Sequence, residues 1–179
     1  MANKEGSFKL IGIVMVVSLL IAALWDQIPW LKNFIHAILN PTAGFLIDWN
    51  LTAGMLVIVF VISLLTTFIQ KYATDQKALK ELKKEQKIIQ EEMKKFKDHP
   101  EKVMELQKKQ LEFIPKTMKL STRALAYTGI PFILFFRWFN DYFIAAGNPL
   151  FLGFMGWFIF YLITTLIFSG VLKKWMDVV

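Results

Sequence analysis

Residues 70–123 read QKYATDQKALKELKKEQKIIQEEMKKFKDHPEKVMELQKKQLEFIPKTMKLSTR, and this polar stretch decides the fold. It holds fifteen of the 21 Lys and Arg residues and nine of the 14 Asp and Glu, so it carries +6 of the chain's +7 formal charge. On either side the composition inverts into apolar blocks at residues 8–25, 51–69, 124–136 and 150–172. Apolar residues gathered into blocks of this length, rather than spread in an amphipathic period, predict membrane-spanning helices. The 55% hydrophobic content is too high for an ordinary soluble domain of 179 residues.

Charge orients the chain. Lys and Arg resist translocation, so the basic stretch belongs in the cytosol and fixes the spans around it. Residues 51–69 then run inward, 124–136 outward and 150–172 inward, which brings Lys173 and Lys174 to the cytosol as well. Trp25, Trp30, Trp49 and Trp138 fall at the predicted outer interface and Trp175 at the inner one, while Trp157 lies inside a span.

The first block, MANKEGSFKLIGIVMVVSLLIAALW, has the lysine-bearing start and small residues of a signal peptide. Its apolar run is longer than the usual signal core and favours an uncleaved span. In residues 26–49, Trp30, Leu31, Phe34, Ile35 and Ile38 recur at helical spacing, with Lys32, Asn33 and His36 on the other face. That pattern predicts a helix lying on the outer leaflet, broken by Pro41 and Gly44 before the next span. The third block is short. From Leu120 to Arg137 it offers a helix of about 25 Å, less than the roughly 30 Å bilayer core, so neighbours shield it or the membrane thins.

Within the basic stretch, Leu79, Leu82, Gln86, Ile89, Met93 and Phe96 alternate by three and four, the seam of a coiled coil. KDHPE interrupts it, and Pro100 suits the first turn of a second helix, which Pro115 kinks or ends. That helix carries two apolar stripes, Val103, Leu106 and Phe113 on one, Met104, Leu111, Ile114 and Met118 on the other. One partner helix covers only one stripe. The other is left for a guest, to be captured by Met93, Phe96, Met104, Leu111 and Met118, or else rests on the membrane. Lys83, Lys84, Lys94, Lys95, Lys108 and Lys109 offer contacts to a ribosome or to lipid headgroups. Interleaved glutamates and few aromatics argue against a sequence-specific nucleic-acid module.

Polar residues interrupt the spans in a pattern. Ser63, Thr66, Thr67 and Gln70 share one helix face, Tyr161, Thr164, Thr165 and Ser169 share another, and Thr128 adds a weaker third. All occupy the hairpin-side halves. Hydroxyls of this kind often bond helix to helix, but three faces at one depth predict a wet groove open to the cytosol. No Asp, Glu, Lys or Arg lies deep in a span, which argues against a proton-coupled pump or a charged ion filter. There is no cysteine, and the two histidines, His36 and His99, stand in different segments and read as surface residues. No metal, cofactor or enzymatic chemistry is expected.

The stretch QKALKELKKEQKIIQEEMKKFKDHPEKVMELQKKQLEFIP followed by GIPFILFFRWF resembles the YidC/Oxa/Alb insertase family, in its archaeal three-span branch. Pro131, Phe135, Phe136 and Arg137 stand where that family closes a proline-bearing span on aromatics and an arginine. The resemblance implies an all-α polytopic protein with a three-span core, a cytosolic helical hairpin and an additional N-terminal hydrophobic helix. The segments would be residues 1–25 (first hydrophobic helix), 26–49 (outer helix), 50–69, 120–139 and 150–172 (core spans), 70–119 (hairpin) and 173–179 (tail). It implies an insertase in the plasma membrane that takes nascent membrane proteins from the ribosome, in contact with lipids and other small membrane subunits. Bacterial members carry a groove arginine, and the matching position here, near Leu65 or Thr66, has none. The rival expectation is a receptor or scaffold whose coiled coil docks a soluble targeting factor.

Overall fold

The computed structural model describes residues 8–178, apart from the side chains of Phe8 and Arg123. The lysine-bearing start of the first block and the last residue of the tail lie outside the described residues. Among the described residues there are seven α-helices: α1 Phe8–Ala23, α2 Pro29–Leu39, α3 Phe45–Trp49, α4 Leu51–Ala73, α5 Gln76–Lys95, α6 Pro100–Ala145 and α7 Trp157–Met176. A 3₁₀ turn, Trp25–Gln27, precedes α2, and a π-helical turn, Asn40–Gly44, joins α2 to α3. Among the described residues the only β pairing is an isolated bridge between Phe151 and Met155. This is an all-α membrane protein, in which α4 and α7 are long and apolar enough to cross a bilayer.

The third span differs from expectation. It is no separate helix starting near Leu120 but the middle of α6, which runs for 46 residues through both Pro115 and Pro131. A proline removes one N–H from the ladder, and the bonds above and below it carry the helix across. Nor does Arg137 end it. Residues 120–145 extend about 39 Å at 1.5 Å per residue, so no thinning of the bilayer is required.

Most of the polar residues along this stretch find partners in the segment before α4. The Arg137 guanidinium lies 3.5 Å from the Asp26 carboxylate and over the Trp25 ring. One turn on, the Asp141 carboxylate accepts from Trp25 Nε1 at 2.7 Å and lies 3.2 Å from both Lys32 Nζ and His36 Nε2. A hydrogen bond with Asp26 raises the Lys32 ammonium above its ordinary pKa, with Asp141 adding to the effect. Trp138 Nε1 donates to Asn40 at 2.8 Å, and the Tyr142 hydroxyl donates to Asp48.

These contacts correct the reading of residues 26–49. His36 is half-buried against Asp141, and Lys32 and His36 of α2 turn toward α6, while Asn33, Trp30, Phe34 and Ile38 stand exposed. Pro41 and Gly44 do not break the helix either, since the π turn absorbs them.

α3 folds back on α4 with almost no space between them. Asn50, the asparagine of a formal glycosylation sequon, caps α4 by accepting from the Ala53 N–H at 2.9 Å. A Cβ placed on Gly54 would lie 2.0 Å from the Leu46 carbonyl oxygen and 2.4 Å from its carbon, both immovable backbone. Gly54→Ala is therefore expected to cost about 3 kcal/mol or more. Gly170→Ala, where nothing lies within 4 Å, should leave thermal unfolding in detergent unchanged or slightly improved.

Candidate functional site

Three helices form the core, and the two ends of that core differ chemically. Far from the hairpin it is aromatic. Phe136, Phe139 and Phe143 of α6 meet Trp157 of α7 at ring separations of 5.2, 6.1 and 5.7 Å. Phe151 stacks on Phe160 at 4.5 Å. Met55, Ile58 and Val59 of α4 are buried in the same cluster. α6 and α7 meet through these rings, with little close approach of their backbones, whereas α4 packs along α7.

Two further ring contacts lie toward the hairpin, at different depths along α7. Phe132 of α6 touches Tyr161 of α7 at 6.3 Å, and Phe60 of α4 touches Phe168 of α7 at 5.5 Å. Residues four apart share a helix face. Thr128 therefore lies one turn toward the hairpin from Phe132, and Thr165 one turn from Tyr161, on the facing sides of α6 and α7. On α4, Ser63 and Thr67 continue the buried stripe of Met55 and Val59.

The predicted groove residues are thus brought to one end of one core, but they are not all open. Ser63 and Thr67 are only 1% exposed, and Tyr161 and Thr164 are also buried, so the protein encloses them. Thr66, Gln70, Thr128, Thr165 and Ser169 are half-buried. The expectation of a wet groove along the whole polar face is corrected to a hydroxyl-rich interior with open clefts at its mouth.

The hydroxyls handle their protons in two ways. Thr67 donates to the Ser63 carbonyl at 2.7 Å, Thr128 to Ala124 at 2.9 Å and Thr122 to Met118 at 2.7 Å, each within its own helix. By contrast, Ser63 Oγ is buried with no hydrogen-bond partner, while the Thr165 hydroxyl lies within reach of the Tyr161 hydroxyl one turn away on α7. An unpaired buried hydroxyl costs free energy that a substrate's polar group would recover.

Two clefts open at the hairpin end. One, of about 590 Å³, lies between α4 and α6 and is lined by Phe68, Ile69, Tyr72, Ala73 and Tyr127. The other, of about 560 Å³, lies between α4 and α7. Sequence reading missed the aromatic rim of the first, although Tyr72 and Tyr127 sit at ends of apolar blocks, where amphipathic rings collect.

The hairpin divides its two stripes. Leu106 and Phe113 are buried against α5, as is Leu79 from the other side, and Met93 lines a cleft between the helices. Met104, Leu111, Ile114 and Met118 face outward, Met104 at 57% and Leu111 at 61% exposure, and Phe96 is exposed near the tip. Of the six candidate lysines, all exposed, Lys109 is paired with Glu105 at 2.9 Å. Lys109 and Lys102 hold the Glu105 carboxyl below its usual range.

Aromatic seal, hydroxyl interior and projecting hairpin define a polytopic membrane protein built around a one-ended polar core. Residues 37–151 match the model of the family described as integral membrane protein EMC3/TMCO1-like. The chain belongs to that family, and through it to the Oxa1/YidC/Alb3 insertase superfamily. The match runs from α2 through α6 and leaves α1 and α7 outside it. No curated protein and no solved structure matches the chain.

Because Ser63 lacks a partner within the fold, Ser63→Ala should leave unfolding in detergent unchanged or raise stability by up to about 1 kcal/mol. A loss of stability would show that this hydroxyl bonds within the native core.

Proposed function

We propose that the protein is a membrane protein insertase of the archaeal YidC-like type, acting in the plasma membrane without covalent chemistry. The family supports a general role in insertion. The observation that carries the finer reading is the asymmetry of the core: hydroxyls toward the hairpin, rings beyond.

The hairpin stands in the cytosol, as its charge dictates, and receives a nascent chain from the ribosome. Its outward stripe of Met104, Leu111, Ile114 and Met118 holds the apolar part of the guest. Methionine suits this work because its flexible, polarisable side chain adapts to many shapes. The guest's polar flank passes between α6 and α7, whose contact is made of side-chain rings that move by rotamer change. Ser63, Thr66, Thr67, Gln70, Thr128, Tyr161, Thr164, Thr165 and Ser169 then replace part of its lost water.

An unsatisfied backbone group in hydrocarbon costs several kcal/mol. Each hydroxyl that meets one lowers the barrier to crossing half the bilayer. The aromatic layer keeps water and ions from following. Because Leu65 and Thr66 stand where bacterial relatives place an arginine, the interior is neutral and gives acidic tails no electrostatic advantage. The apolar part leaves sideways into lipid.

A photo-crosslinking residue at Thr66 or Thr165 should capture ribosome-stalled nascent membrane protein in intact membranes. Adducts at Met104 and Met118 with none at Thr66 or Thr165 would contradict insertion through the core and favour a receptor that docks a soluble targeting factor.

A further inference from the structure

We propose that the cleft between the hairpin-side ends of α4 and α7 is a binding site for an anionic phospholipid. Its walls are Leu64, Leu65, Phe68, Trp175 and Met176, and Lys71 stands at its rim. Leu65, Phe68 and Trp175 are exposed, Trp175 at 78%. The apolar walls suit an acyl chain, and the lysine suits the phosphate above it.

Charge makes the choice of headgroup. α4 ends in Lys71 and α7 in Lys173 and Lys174, so both helices bring cations to one level of the membrane. The last turn of a helix favours cations in any case, but that explains neither an apolar cleft between the two ends nor the way nearby carboxylates are used. Asp177 is engaged by Lys80 of α5, and Asp75 caps α5 by accepting from the Lys77 and Ala78 N–H groups. Lys71 forms no ion pair within 4 Å among the described residues and acts on Asp177 only at longer range, as the weakest of the influences on that carboxylate. The rim therefore presents net positive charge beside an apolar slot.

The ligand follows from that pairing. A free phosphate would use the lysine and leave the slot empty, and a zwitterionic lipid would fill the slot but bring a cation to the lysine. A lipid with a net negative headgroup satisfies both. Trp175, whose indole belongs at the membrane interface, lies against the chain and reports on it.

The test uses the full chain in lipid nanodiscs that contain equal amounts of phosphatidylglycerol and phosphatidylcholine, with brominated chains on one or the other. The Trp175 contribution is the emission lost in Trp175→Phe. Brominated phosphatidylglycerol should quench it as if enriched about fivefold at the site, the factor expected for one lysine beside an anionic headgroup. Lys71→Arg should keep the preference, and Lys71→Gln should bring the two lipids to equal quenching. Equal quenching in the parent chain would overturn the proposal, as would a preference that survives Lys71→Gln. Absence of quenching by either lipid would also overturn it, by showing that protein rather than lipid fills the cleft.

Discussion

A polar group carried into hydrocarbon must be covered, and the arrangement of this protein follows from how its hydroxyls meet that demand. Thr67, Thr122 and Thr128 return their protons to carbonyls of their own helices and ask nothing of their neighbours. Ser63 finds no such partner, and the protein encloses it. The contact between Phe132 and Tyr161 separates an interior able to bond a polar guest from one able only to exclude it.

α6 ties this core to everything outside it. At one end it forms half of the hairpin, and at the other Arg137, Trp138, Asp141 and Tyr142 anchor it to the segment before α4. Of these groups Trp138 and Asp141 are the best covered, and removing a partner there leaves a polar group shielded from water and unpaired, typically at about 1–3 kcal/mol.

Much of this was legible in the sequence because it depends on short-range pattern. The apolar blocks gave the membrane helices, and the three-four alternation from Leu79 gave the seam of the hairpin. The two stripes of its second helix were separable by periodicity alone, and the structure buries Leu106 and Phe113 while exposing Met104 and Leu111. What was not legible depends on partners distant in sequence. Pro115, Pro131 and Arg137 look like helix ends until Asp26, Lys32 and the rest of α6 are placed around them. His36 looks like a surface residue until Asp141, 105 residues away, is brought to it. The spacing of Ser63 and Thr67 showed that they share a face, but whether that face is open is decided by the rings of α6 and α7. Gly54 carried no signal at all, because the constraint on it is the backbone of Leu46.

The chain contains no cysteine, so single cysteines can map directly where water reaches the core. In sealed membranes of known orientation, a charged, membrane-impermeant maleimide should label cysteine at Ser121, Thr128 and Ser169 from the hairpin side. It should label cysteine at Phe136 or Phe139 from neither side. Protection of Thr128 and Ser169, or labelling of Phe139 from the opposite side, would contradict a polar core open toward the hairpin and sealed beyond Phe132.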